Sequence, residues 1–385
     1  MKVLLATPGR FHSFALAREL QSRAALDHIV TGFPWFKVAR ENLPRRQVRT
    51  APVPQMLSFA LKKAGLIHPQ LDQRLLLETL CQVDGLALKS AGDADLFVAL
   101  SGCGQQTGTR FRKLGLTYVC DRGSSHILYQ QKLLNEEADR HGAPRPFFNA
   151  AVVRRELCEY DTADAITVPS QFAEQSFLAY GIAQHRLHRV PYGVNLTRFY
   201  PTTAPASDRF EVLFVGSLTL RKGVPYLLKA FRDLAHPRKR LTLVGPRTSD
   251  TAHFSQLLQH DDIRVMGAVA NQDLKHIMSA SHVMVMPSIE EGLALVQAEA
   301  LACGCPVIGT DHSGAADLFD NDREGFIVPI RSDRAIREKL EFLADNPDRR
   351  QQMSEAARAR VATIGGWSRY GEQYFGLLQA LVRQT

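Results

Sequence analysis

Short apolar runs rich in β-branched residues alternate along this chain with longer stretches whose apolar positions recur every three to four residues, and glycine or proline separates the two. That alternation predicts strand, turn and helix repeated along a parallel sheet. In the first half, KVLLAT (2–7), HIVTG (28–32), LFVALS (96–101), TYVCD (117–121), AITVPS (165–170) and HRVPYG (188–193) predict strands. A second set restarts with EVLFVG (211–216), LTLVG (241–245), IRVMG (263–267), HVMVMPS (282–288), PVIGT (306–310) and GFIVP (325–329). The expected fold class is α/β, two doubly wound units in series. Between them YPTTAPASD (200–208) has no periodicity and little to bury, so it reads as a linker. The expected divisions are a first domain over 1–200, a second over 209–365, and a helix over 366–385. That helix carries Trp367, Tyr370, Tyr374, Leu377 and Leu378 along one side. In such sheets ligands bind beyond the carboxyl ends of the strands, and with two of them the cleft between is the expected site.

Charge adds an asymmetry. Residues 1–200 hold 25 Lys and Arg against 17 Asp and Glu, and the remainder holds 22 against 22, so the whole net charge of +8 sits in the first half. Within it, residues 35–63 carry seven basic residues and one acid, which suits an anionic surface such as lipid headgroups, an acidic acceptor or nucleic acid, or else a solvated basic face. The six cysteines show no Cys-x-x-Cys spacing, and Pro8 and Gly9 interrupt the first apolar run. A reduced cytoplasmic setting without an export signal is the expectation.

Candidate chemistry gathers at the predicted strand ends. EGLALVQAE places Glu291 at a strand-to-helix turn and Glu299 about two turns into a helix of apolar and small neighbours. A carboxylate there needs hydrogen-bond donors, and either a sugar diol or an arginine can supply them. GSLTLRKG sets Arg221 and Lys222 just before a helix, where side-chain cations and free amides converge on the oxygens of a diphosphate. In DHSGAADL, Ser313, Gly314 and Ala315 can turn successive amides toward an anion. Gly9 closes the first strand, with Arg10 and His12 beside it and without a role from the pattern. Asp93-Ala94-Asp95 precedes a strand instead of closing one, so no metal site is expected there, and GCGQQTGT lacks the lysine of a nucleotide-binding P-loop.

These blocks in order, from FVGSLTLRKGVPYLLKAF through HVMVMPSIEEG and the Glu-seven-residues-Glu spacing to DHSGAADL and EGFIVP, resemble the retaining glycosyltransferases of family 4. DTADAITVPSQF and HRVPYGVNLTRFYP extend the likeness loosely into the first half. The resemblance implies the GT-B fold, two Rossmann-like domains facing across a cleft with the last helix crossing back to the first. It implies a retaining, metal-independent hexosyl transfer from a UDP- or GDP-sugar to a glycan, lipid-linked or small-molecule acceptor, with polysaccharide assembly at the inner membrane face as the setting. No nucleic acid partner and no cofactor beyond the donor are expected. It implies that Glu299 holds the ribose, that Glu291 with Gly292, Leu293 and Ala294 contacts the moving sugar, and that Arg221 and Lys222 meet the diphosphate. Gly216, Ser217, Gly9, Ser313 and Gly314 complete the donor site, and His126 meets the sugar near the scissile bond. Many relatives have an arginine where this chain has Ser217, which puts Arg221's role in question. No residue presents itself as a general base; the leaving phosphate is expected to take the acceptor's proton. The alternative is a non-catalytic nucleotide-binding scaffold of the same fold. A nucleotide-sugar epimerase or dehydrogenase would need a Gly-x-Gly-x-x-Gly fingerprint that TPGRFHSF does not supply.

Overall fold

The structure, a computed structural model, describes residues 1–382. Its first sheet contains β1 (Val3–Thr7), β2 (Leu26–Thr31), β3 (Val48–Thr50), β4 (Leu96–Leu100), β5 (Thr117–Asp121), β6 (Ala165–Val168) and β7 (Leu187–Arg189). All pair in parallel, in the order β3-β2-β1-β4-β5-β6-β7. The second holds β8 (Phe210–Val215), β9 (Lys239–Val244), β10 (Ile263–Gly267), β11 (Val283–Met286), β12 (Val307–Thr310) and β13 (Gly325–Val328), again parallel, in the order β10-β9-β8-β11-β12-β13. β1, β4, β5 and β6 are buried on nearly every residue because helices cover both faces of a parallel sheet. The two-domain α/β architecture expected from the pattern is the one observed.

Two strands depart from expectation. β3 was not anticipated: it is a three-residue edge strand inside the basic segment, and its existence rests on pairing Val48, Arg49 and Thr50 with β2. β7 ends at Arg189, short of the expected Gly193, because Pro191 has no N–H to continue the ladder.

The last helix, Trp367–Val382, lies on the first helix of the chain, Ser13–Ser22. Contact is close enough that a side chain at Gly371 would fall 2.3 Å from Glu19 Cβ, and the Arg23 guanidinium stands 5.8 Å from the Phe375 ring centre. Tyr370, Tyr374 and Leu378 are buried in one cluster with Phe14, Leu16 and Leu20. The C-terminal helix thus crosses back to the first domain. Among the described residues, no helix is long and apolar enough to cross a membrane.

Candidate active site between the two sheets

Four loops of the two sheets meet at their carboxyl edges. The loop after β8 is shaped by Gly223, whose backbone is left-handed (φ +64) and whose missing Cβ makes room for the Pro287 carbonyl, 1.9 Å from where that carbon would sit. This close approach seats the Arg221-Lys222 turn on the loop after β11, where Ile289 N donates to Arg221 O at 2.8 Å. From β11 the chain passes Ser288, whose carbonyl accepts from Thr310 Oγ1 at 2.6 Å, and enters the helix Leu295–Ala302. That helix ends in a Schellman turn: Gly304, at φ +76, donates to Leu301 O at 3.0 Å, and Cys305 to Ala300 O at 2.9 Å.

Two adjacent acids in the β11 loop part company. Lys222 Nζ forms an ion pair with Glu291, both side chains about one-fifth exposed. Glu290 is fully buried and crosses to the first domain. Its Oε1 accepts from Ser124 Oγ at 2.7 Å, Ser125 Oγ at 2.7 Å and Ser125 N at 3.1 Å; its Oε2 accepts from Gln130 Nε2 at 2.8 Å and Arg221 Nε at 2.9 Å. Burial alone would raise its pKa, but the Arg221 charge and these donors prevail and hold it at about 2. Glu290 was absent from the sequence expectations, and it gives Arg221 a fixed carboxylate partner. Nearby, a side chain at Gly292 would come 2.1 Å from the Gly123 carbonyl, so the two domains touch backbone to backbone there.

Beside this seam lies a cavity of about 1120 Å³ lined from both domains, by Arg10, His12 and Tyr192 on one side and Arg221, Glu291 and Glu299 on the other. Glu299 is half-buried, and desolvation raises its pKa to about 7 while Arg198 pulls the other way. Among the described residues its carboxylate has no hydrogen-bonded or ion-paired protein partner. Arg198 also lines the cavity, tied to Asn271 Oδ1 at 2.7 Å.

The other expected site residues are dispersed around this core. Leu293 lines the cavity, whereas Gly292, Ala294, Gly216, Ser217 and Gly9 are not among its lining residues. Ala294 N donates to Ser313 O at 3.1 Å and Gly216 N to Val244 O at 2.8 Å. The expected anion nest is partly spent internally: Ser313 N donates to Thr310 O at 3.1 Å, its hydroxyl to the same oxygen at 2.7 Å, and a side chain at Gly314 would meet Leu293 Cα at 2.9 Å. His126 is placed away from the cavity, which corrects the expectation for it. It caps the helix Ile127–Arg140 through Leu128 N, stacks on Tyr180 with ring centres 4.5 Å apart, and is buried. Desolvation and the Arg122 charge hold it at about 4, as a neutral packed ring. First-domain residues that do line the cavity include His12 and Arg122, with Asp121 bonded to His12. Asp93 and Asp95 stand before β4, at the opposite edge of the sheet, where Asp95 accepts from Lys2 N at 2.7 Å.

Comparison with known proteins places this geometry. Residues 200–360 match the family described as Glycosyl transferases group 1. The chain is 26% identical over 303 residues to WcaL of Escherichia coli, a glycosyltransferase whose name assigns it to colanic acid biosynthesis; the match covers 75% of this chain and 71% of that one. It is 29% identical over 265 residues to the D-inositol 3-phosphate glycosyltransferase of Pseudarthrobacter chlorophenolicus, covering 63% of this chain and 61% of that one. Among solved structures, sucrose-phosphate synthase from Thermosynechococcus elongatus superposes with a TM-score of 0.75 at 20% identity, over 100% of both chains. Anabaena HepE in complex with UDP-glucose does so with a TM-score of 0.69 at 16% identity, over 99% of this chain and 100% of that one. At those identities the structural likeness establishes the fold, which is the GT-B fold of glycosyltransferases, and over residues 200–360 this chain is similar to the glycosyl transferases group 1 family.

Proposed function

We propose that the chain transfers a hexose from a nucleoside diphosphate sugar to a glycan, lipid-linked or small-molecule acceptor, with retention of configuration and without a metal. The observation that carries this is Glu299, a half-buried carboxylate raised to about 7, lining the interdomain cavity without a protein partner. A ribose offers two adjacent hydroxyls to one carboxylate, which satisfies what the fold leaves unsatisfied. Lys222 and Arg221 sit in the loop after β8, where they stabilise the diphosphate as its charge develops. Glu291, fixed by Lys222, is the acid nearest the moving sugar. Gly292 and Ala294 shape the wall behind it, and Ser313 and Gly314 hold that wall in place. Ser217, where many relatives have an arginine, leaves the diphosphate to two cations, one of them anchored by Glu290.

The donor is a UDP- or GDP-sugar: HepE was solved with UDP-glucose, and a relative from Corynebacterium glutamicum is named as a GDP-mannose-dependent mannosyltransferase. The acceptor enters against the first domain, where Arg40 of the basic segment also lines the cavity. The same segment, Lys37 to Lys63, meets an anionic membrane surface. Phe36 is 64% exposed, Val53 71% and Leu57 48%, beside Lys37, Arg46 and Lys62, the pairing of apolar anchors with cations that suits a headgroup layer. Cosedimentation with anionic vesicles at low salt checks this, and absence of binding rejects it.

A thermal-shift screen of nucleoside diphosphate sugars, followed by assay of nucleoside diphosphate release, tests the transfer. A donor at about a hundred times its dissociation constant adds about 2.7 kcal/mol. Stabilisation with turnover supports the proposal; stabilisation without release of nucleoside diphosphate, with or without acceptor, favours the non-catalytic scaffold.

A further inference from the structure

The first domain brings three arginines to the cavity that the donor chemistry leaves unused. Arg10 lies in the loop after β1, Arg18 on the helix Ser13–Ser22, and Arg40 in the single 3-10 turn Ala39–Glu41 after β2. All three line the cavity, and so does Glu41. The turn is held from both sides, because Val38 before it and Leu43 after it are buried in the core cluster with Phe14 and Leu16. Between them Glu41 is buried and Arg40 is exposed.

Glu41 collects two of the three cations. Its Oε2 accepts from Arg18 Nη1 and its Oε1 pairs with Arg10 Nε. The carboxylate side chain is 6% exposed, against 57% for that of Arg10 and 37% for that of Arg18. One buried acid therefore draws two guanidinium groups to one point of the wall and leaves one positive charge over. Among the described residues, the terminal nitrogens of Arg10 and the Nε and Nη2 of Arg18 bond to no protein group, and Arg40 has neither a hydrogen bond nor an ion pair. The other arginines lining the cavity are engaged: Arg122 by Glu156, Arg198 by Asn271 and Arg221 by Glu290.

Three cations against one acid leave an excess of two positive charges on this part of the wall. A phosphomonoester brings about −1.5 to −2 charges and three acceptor oxygens, and guanidinium forks bind such oxygens in pairs. A carboxylate, with a single charge and two oxygens, answers half of that excess. The donor has one anionic group, its diphosphate, and the Arg221-Lys222 loop of the second domain is assigned to it above.

We propose that Arg10, Arg18 and Arg40 bind a phosphate group carried by the acceptor and that Glu41 positions the first two. This rests on the glycosyl-transfer function proposed above and narrows its acceptor to a phosphate-bearing one. Two sources present that chemistry, the monoester of a soluble sugar or polyol and the diphosphate of a lipid-linked sugar.

The test uses the full chain with UDP or GDP present and reads acceptor binding by calorimetry. Hexoses and polyols are offered free, as phosphomonoesters and as uronic acids, beside a polyprenyl diphosphate sugar in detergent micelles. Wild type is expected to bind phosphate-bearing members at least about tenfold more tightly than their free and carboxylate counterparts. Preference among the monoesters identifies a soluble acceptor; preference confined to the polyprenyl diphosphate identifies a lipid-linked one. Arg40→Ala is expected to weaken the preferred phosphate by about ten- to a hundredfold, while binding of its free counterpart and of UDP or GDP stays within about threefold. Glu41→Gln keeps the arginine charges and frees their positions, and is expected to cost about three- to tenfold in the same preference. In turnover, Arg40→Ala is expected to raise KM for the acceptor and leave kcat within about threefold. Should Arg40→Ala not fold, as read by its melting temperature, Arg10→Ala takes its place. Equal binding of free, carboxylate and phosphate members, or no binding of any phosphate, overturns the proposal. So does a folded Arg40→Ala that loses affinity for UDP or GDP, which would assign these arginines to the donor. Phosphate binding that depends on Arg40 without release of nucleoside diphosphate from any nucleotide sugar would instead overturn the transferase function.

Discussion

The two faces of the interdomain contact differ in how completely their buried charges are answered. Along the seam, Glu290 has five donor contacts from both domains, and Glu137, 1% exposed, accepts from Tyr226 hydroxyl and Arg331 Nε of the second domain, each at 2.8 Å. Lining the cavity, Glu299 has no hydrogen-bonded or ion-paired protein partner among the described residues. Glu290 is the more deeply buried acid, yet desolvation wins only at Glu299: one carboxylate is held at about 2 and the other at about 7. Burial of a charge is therefore not the signature of the site; burial left without a partner is. The seam joins the domains, and the cavity leaves the Glu299 carboxylate unmatched.

Breaking the cavity side first, Lys222→Ala is expected to lower turnover about a hundred- to a thousandfold, roughly 3 to 4 kcal/mol of transition-state stabilisation. Initial rates with the true donor check this, and activity within about twofold of wild type would end the assignment of Lys222 to the diphosphate. On the seam, Glu290→Ala leaves Arg221 without its carboxylate and is expected to cost about 3 kcal/mol in stability, seen by denaturant unfolding. Because the folded pKa of Glu290 is depressed from 4.5 to about 2, its contribution is fully present above the ordinary carboxylate range. That contribution is lost as pH falls toward 2, so the wild-type stability curve should drop between roughly pH 5 and 2 and the variant's should be flatter there. Ser124→Ala removes one of several donors to the same carboxylate, and about 1 kcal/mol is expected by the same measurement. A seam that tolerates Glu290→Ala without loss would mean that the contrast between the two faces is not energetic.

Much of this was legible in the sequence where local pattern and structure agree. The apolar strands declared themselves because both of their faces are covered, and Glu291, Arg221 and Lys222 lie in loops after strand ends, with Glu299 in the helix that follows, where the pattern put them. β3 did not, since three residues of mixed polarity become a strand only by pairing with β2. Glu290 did not, because the donors that answer it come from residues 124–130 and only the tertiary contact reveals them. In DRGSSHI, Asp121 ends the strand and is bonded to the cavity-lining His12, whereas by His126 the chain has turned under and that residue caps the next helix in the core. The cue that could have found this pair is that Asp121 ends one predicted strand and His12 lies in the loop after another.

The unsatisfied Glu299 carries the account, and a titration of donor binding against pH tests it directly. Its ionised form accepts from both hydroxyls of a diol, so binding draws a carboxyl that sits at about 7 into the ionised state. Measured by calorimetry with UDP-glucose and GDP-mannose from pH 5.5 to 8.5, the affinity of wild type for its donor should rise about tenfold per pH unit up to about 7 and then level. Glu299→Gln should bind more weakly, with no such rise. Equal pH dependence in the two proteins would contradict a role for Glu299 in holding the donor.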